Sequence, residues 1–336
     1  MRTKPNTKSA FAIVAAAALM MSANVSSAAD FTMKIGLGTY KDVQHQWADW
    51  MEEAIEKRSN GRIDVKVFTR SQLGNITRMV EGVQLGTIES VVAPMDFFVG
   101  IDPRFGVFSI PTLFSSKAAA SKALQDPALN AEIRTVGLKK NVIPVSIFPH
   151  SVAHYFAKQP IRRLSDFKGK KMRVNATPAE RERMARLGGT AVPMPLGEVV
   201  PALQRGMIDG TMSGTVVYVV FKFNQVAKTL TVTNDTLILS AGLVSKVWLN
   251  KLPADLQKIV IEEGNKLQAR TTAFSDTSEM AMIKRWKSEG GELVTLPASD
   301  QKELLAKLKS VGEDVTKSSA SLNAFYRRVY ETGKKY

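Results

Sequence analysis

The stretch that most limits how this chain can fold is 168–214, where the apolar spacing switches repeatedly between a period near two and a period near 3.6. Residues 170–174 read as a strand. Residues 178–187 read as a helix closed by Gly188 and Gly189. A second strand follows at 191–194, then a short helix at 198–204 ended by Gly206. Met207, Ile208 and Asp209 start a third strand. Strands alternating with helices predict an α/β fold with a parallel sheet, whose ligands sit outside the carboxyl ends of strands. Alternation in the first strand puts Met172 and Val174 on one face and Lys171, Arg173 and Asn175 on the other. An arginine at the end of such a strand can offer its planar, always charged fork to a carboxylate. The alternative reading of Arg173 is a solvated or ion-paired surface residue.

Upstream, the same alternation continues. Strands are expected at 31–37, 63–67 and 88–93, and helices at 43–57 and 77–85. Val43, Trp47, Trp50, Met51, Ala54 and Ile55 form the apolar stripe of the first helix. The loops at the carboxyl ends of these strands carry Tyr40, Asn75, Met95 and Asp96, which are candidate ligand contacts. Tyr40 closes over a ligand or is a rim aromatic. Asp96 is an acceptor for a ligand hydroxyl or amine, or a turn or helix-cap aspartate. Helices are expected at 117–124 and 127–138, and an apolar strand at 142–148. Residues 216–228 read as helix and 230–249 as two strands. Pro253 opens a helix running to about Gly290, with Gly264 softening it. A strand at 292–296 and a helix starting with a capping box at Asp300 and Glu303 complete the reading.

The motifs in this order resemble the solute-binding proteins of TRAP (tripartite ATP-independent periplasmic) transporters, in the C4-dicarboxylate-type receptor family. GKKMRV and AVPMPLGEVVPALQRGMIDG follow that family's G-x-K-x-R-V and P-x-P-x-x-E-V-x-x-A-L-Q-x-G-x-x-D-G. SNGRIDVKVF, SQLG, EGVQLGTIE, IPTLF and KVWLNKLPADLQKIV match other parts of the pattern in order. The resemblance implies a two-domain periplasmic binding protein fold with a cleft between the domains and a long helix spanning both. Domain I would be 30–150 with a return segment of about 239–278, and domain II 151–238 with a C-terminal segment of about 279–336. It implies a receptor that closes on a small organic acid, with Arg173 holding the carboxylate, and then delivers it to the small and large membrane subunits.

Three positions depart from the family pattern. The arginine that many members carry at the first crossing between domains is absent from Ser151-Val152-Ala153, with His154 adjacent. Ser213 stands where the ligand-contacting asparagine would be, and Leu196 where some members place an aromatic. These changes point away from sialic acid and dicarboxylates, toward a smaller or more apolar monocarboxylate.

The chain has 46 Lys and Arg against 31 Asp and Glu and no cysteine. That excludes disulfides, thiol catalysis, cysteine metal sites and a lipid-modified cysteine anchor. Arg2, Lys4 and Lys8 precede an apolar run at 10–21 that is too short to span a bilayer, and Ser27, Ala28 and Ala29 are small. This reads as a signal peptide cleaved near Ala29, giving an exported, periplasmic protein. Its removal with those three basic residues leaves a net charge of +12. The basic residues are scattered, without the stripe and stacked aromatics of a nucleic-acid binder, so they suit steering of acidic solutes or simply solubility. No phosphate-cradling loop occurs, and the three histidines lack a partner pattern for catalysis or metal binding. No cofactor is expected, and a monomer is favoured over a dimer. An exported enzyme acting on an organic acid, or a receptor feeding a sensor system, are the alternatives.

Overall fold

The computed structural model describes residues 29–175 and 177–336. The expected signal peptide, 1–29, lies outside the described residues except for Ala29. The chain forms two α/β halves that share two long strands. In the first half, β1 (Phe31–Leu37) lies between β2 (Ile63–Phe68) and β3 (Ser90–Pro94), all parallel. In the second, β5 (Lys171–Val174) lies between β6 (Thr190–Pro193) and β7 (Gly210–Ser213), again all parallel. The shared strands are β4 (Val142–Ala157) and β8 (Thr229–Ser245), which pair antiparallel along their length. The sheet order is β2-β1-β3-β8-β4-β7-β5-β6, with β9 (Glu292–Thr295) parallel to β8.

Where the two halves meet, the ladder is irregular. Val152 pairs with Leu237 and His154 with Val232, so β8 carries residues 233–236 where β4 has only Ala153. Asn234 has φ 49°, a left-handed conformation that asparagine tolerates better than most side chains. Extra residues on one strand of a pair bend it, and this bend lies where the two halves meet. The region 230–249 is therefore not two strands but one bent strand followed by the helical turn Lys246–Leu249. Residues 207–209 also differ from expectation. The strand starts at Gly210, because Asp209 is used earlier, accepting from the Lys171 amide.

Helix α1 (Val43–Arg58) begins at the Asp42 cap and α2 (Ile76–Leu85) at the Asn75 cap. Helices α3 (Lys117–Gln125) and α4 (Pro127–Ile133) precede β4, the second ending earlier than expected. Helices α5 (Pro178–Arg186), α6 (Val199–Gln204) and α7 (Thr215–Val220) connect the strands of the second half, and α7 is much shorter than the expected 216–228. The long helix α8 (Ala254–Ser288) rises through roughly 50 Å at 1.5 Å per residue. It packs on α1 in the first half, on β4, and on α7 in the second half. Helices α9 (Ala298–Leu308), α10 (Val311–Thr316) and α11 (Ala320–Lys334) complete the chain. Asp300 makes no capping box. Pro297 caps α9, and the Asp300 carboxylate instead accepts from the Leu164 amide at 2.8 Å. The last helix, α11, lies on α3, α4 and the turn Pro103–Ser109.

Gly264 does not soften α8; it lets the helix approach the sheet. A Cβ there would sit 2.6 Å from the Cβ of Val145, and the Gly264 carbonyl accepts from the Ser146 hydroxyl. Gly264→Ala gains up to about 1 kcal/mol of helix propensity and costs roughly 1–3 kcal/mol of overpacking against a strand that cannot retreat. The net expectation is a lower denaturant midpoint, read by urea unfolding. A raised midpoint would show that α8 can lift off β4.

Candidate functional site

The carboxyl ends of the parallel strands from both halves converge on one cavity. Arg173, Asn175 and Asp96 line it, with Leu196 and Ser213 on the same wall, so the structure brings together five of the eight expected contacts. The other three lie elsewhere. Asn75 is exposed and is used as the α2 cap, its side chain accepting from the Arg78 amide at 2.9 Å. Met95 is buried in the core behind Asp96 and faces a second void of about 300 Å³. Tyr40 is outside the cavity lining, with the Arg70 guanidinium 4.5 Å over its ring and His45 at 4.9 Å.

Arg173 is buried at the end of β5. Its Nε donates to the Met194 carbonyl at 3.0 Å, which fixes the plane of the fork, and its Nη2 has no partner. Burial pulls the guanidinium below its usual range while Glu180 and Asp96 pull it back. It stays charged, as arginine does in proteins. A buried cation with an unused donor is costly, and an incoming carboxylate relieves that cost.

Two acids face it. Asp96 follows β3 in a 3-10 turn, and its Oδ2 accepts from Asn175 Nδ2 at 2.5 Å, across the cleft between the halves. Asp96 Oδ1 and Asn175 Oδ1 have no partner. Burial, then the charge of Glu180, pushes the Asp96 carboxyl up to about 7, against the Asn175 hydrogen bond and the charge of Arg173. Glu180 comes from the first turn of α5. Its Oε2 accepts from the amides of Asn175 and Thr177 and from the Thr177 hydroxyl, forming a capping box. The sequence carries the signal for this in Thr177-Pro178-Ala179-Glu180, a T-x-x-E placed just before a helix, and the sequence reading missed it.

The opposite wall was also missed. Gln44 occupies a buried position of α1 where the apolar stripe predicts a hydrophobic residue, because that face of the helix turns into the cleft. Its Nε2 lies 2.9 Å from Ser240 Oγ and 3.1 Å from His150 Nδ1. Thr39 Oγ1 donates to Asp42 at 2.7 Å, and Asp42 lies 3.3 Å from His150 Nε2. Burial raises Asp42, but the nearby His150 ring and hydrogen bonds from Thr39 and the His45 amide outweigh it and hold the carboxyl below its usual range. At the crossing that lacks the family's arginine, the residue that reaches the cavity is His150. His154 is buried elsewhere with both ring nitrogens unpartnered, and burial lowers it. Phe97, Met212 and Ile238 add apolar wall. The cavity is therefore richer in polar groups than Ser213 and Leu196 alone suggested. Among the described residues, no group of three or more His, Asp or Glu side chains is placed to hold a metal ion.

Residues 37–318 match the family model of bacterial extracellular solute-binding proteins, family 7. A solute-binding protein of Verminephrobacter eiseniae is 31% identical over 268 residues, covering 77% of this chain and 78% of that protein. A TRAP periplasmic solute-binding protein from Desulfovibrio salexigens, solved with bound orotic acid, is 24% identical with a TM-score of 0.84, covering 90% of this chain and 98% of that one. A sugar acid binding protein from Advenella mimigardefordensis, solved with galactonate, is 22% identical with the same TM-score of 0.84 and the same coverage of 90% and 98%.

Proposed function

The chain belongs to the family 7 bacterial extracellular solute-binding proteins, and from that membership we propose that it captures a hydroxylated monocarboxylic acid in the cleft and delivers it to TRAP membrane subunits. The observation that carries this reading is Arg173, buried at the cavity wall with Nη2 unpartnered. A ligand carboxylate supplies the missing acceptor, and closure over it removes the screening water. The Glu180 carboxylate on the same cavity repels a second carboxylate, which favours monoacids over diacids. The polar wall of Gln44, Thr39 and Ser213 offers partners to ligand hydroxyls that a purely aliphatic acid would not use. Orotate and galactonate, the ligands of the two similar proteins, are both monocarboxylates. The mature chain, cleaved near Ala29, works in the periplasm as a monomer and turns nothing over.

A thermal-shift panel tests the reading. The protein is unfolded and refolded to remove any carried-over ligand, then mixed with aliphatic, aromatic, hydroxy, sugar and dicarboxylic acids. A ligand at 100 times its Kd stabilises by about 2.7 kcal/mol, roughly a 4 °C rise for a chain of this size. Hydroxylated monocarboxylates are expected to give it and dicarboxylates are not. A rise confined to dicarboxylates, or no rise with any acid, overturns the proposal, and steady consumption of a bound acid would make the protein an enzyme.

A further inference from the structure

The carboxyl group of Asp96 is unusual for a site that holds an anion. It lines the same cavity as Arg173, it is buried, and no Lys, Arg or His lies within ion-pair distance of it among the described residues. Its one hydrogen bond is from a neutral amide, Asn175 Nδ2 at 2.5 Å, and Oδ1 has no partner. The groups around it come from four elements. Arg173 stands on β5 and Asn175 just beyond it. Glu180 stands on α5. Gln44 on α1 lies across the cavity, hydrogen-bonded to His150 of β4, which pairs in turn with Asp42. Of these, Arg173 alone is a permanent cation, and Glu180 is an anion already held by three donors.

Adding a ligand carboxylate to this set with Asp96 ionised would place three carboxylates around one guanidinium in a closed, water-poor space. Like charges at that separation do not all stay ionised. The group with fewest donors gives way, and that is Asp96. We infer that the receptor captures its acid with Asp96 protonated, so that each carboxylate bound takes up one proton from solvent and the Asp96 hydroxyl becomes a second donor beside Arg173. The inference rests on the carboxylate reading above. It gives Asp96 a role opposite to the acceptor expected from sequence, and it excludes an ammonium group at that wall, because an ammonium would keep Asp96 ionised. A carboxylic acid held neutral by its surroundings is a known way to place a donor at neutral pH. Burial and Glu180 already push Asp96 up to about 7 before ligand arrives.

The sign follows directly. Below pH 6 the empty site is already protonated and affinity is flat. Above pH 7 binding must supply the proton, and Kd rises toward tenfold per unit. Calorimetry of the wild type with galactonate, glucuronate and orotate, in buffers of different ionisation enthalpy, is expected to give a Kd about tenfold weaker at pH 8 than at pH 6. It is also expected to show close to one proton taken up at pH 8. Asp96→Asn keeps a donor and cannot titrate, so its affinity should be flat over the same range with no uptake. A flat wild-type profile, an affinity that strengthens with pH, or a pH dependence that survives in Asp96→Asn and so belongs to another group, each overturns the inference while leaving the receptor reading intact. If none of the three acids binds, the ligand-free protein decides. The Asp96 carboxyl carbon, followed by NMR and assigned with Asp96→Asn, should titrate with a midpoint near 7, and a midpoint below 5 overturns it.

Discussion

Replacing Arg173 with alanine is expected to weaken binding of the recognised acid by roughly a hundred- to a thousandfold. Truncating one partner of a buried, hydrogen-bonded charge pair costs about 2–5 kcal/mol, much of it from the charge left alone, and 1.4 kcal/mol is a factor of ten. Here the partner left alone is the ligand carboxylate, facing Glu180 and Asp96 with no cation on the cavity wall. The ligand-free fold should tolerate the change. The Arg173 side chain makes one intramolecular hydrogen bond, to the Met194 carbonyl, and its burial is a cost that the variant no longer bears. Calorimetry and a melting curve separate the two effects, since a folding defect lowers Tm without ligand and a binding defect does not. Arg173→Lys keeps the charge but not the fork and should fall between the two. Wild-type affinity in Arg173→Ala would remove the carboxylate anchor and with it the case for the bound acid.

The parallel strands of both halves and the end of β5 were legible in the sequence because local alternation determines them. Arg173, Asn175 and Asp96 were legible for the same reason: each sits within two residues of the carboxyl end of a strand. What was not legible depends on contacts between distant segments. Gln44 looks like a flaw in an amphipathic stripe until Ser240 and His150 are placed beside it, 196 and 106 residues away. Asn75 and Met95 hold the right loop positions, but one is needed by a helix end and the other by the core. Residues 230–249 read as two strands. Thr-Asn-Asp-Thr at 233–236 is a polar bend within one strand, paired on both sides of the bend with β4.

That bend has its own cation. Arg183 of α5 is fully buried, with Nε 3.5 Å from Asp235 Oδ2 and Nη2 donating to Thr236 Oγ1 at 2.7 Å and to the Ser109 carbonyl at 2.9 Å. Ser109 belongs to the first half, α5 to the second, and Asp235 and Thr236 to the crossing between them. One side chain therefore ties both halves to the bend, and the Ser109 to Thr177 hydroxyl contact at 3.1 Å adds a second tie. Burial works against the charge, but the Tyr155 phenol, Asp235 and Glu180 keep the guanidinium above its usual range. Arg183→Ala leaves Asp235 buried without its cation and opens a cavity, and breaking such a pair costs about 3–5 kcal/mol. Tm should fall by roughly 5–8 °C for a chain of this size. Arg183→Met fills more of the volume without restoring the charge, so it should recover the cavity share of the loss and no more. Ser109→Ala is the milder partner variant. It keeps the carbonyl that Arg183 uses and removes the hydroxyl that reaches Thr177, so it is expected to change Tm by less than about 1.5 kcal/mol is worth. A Tm for Arg183→Ala within 2 °C of the wild type would mean that the Asp235 charge is relieved by solvent and that the bend is not held by this pair.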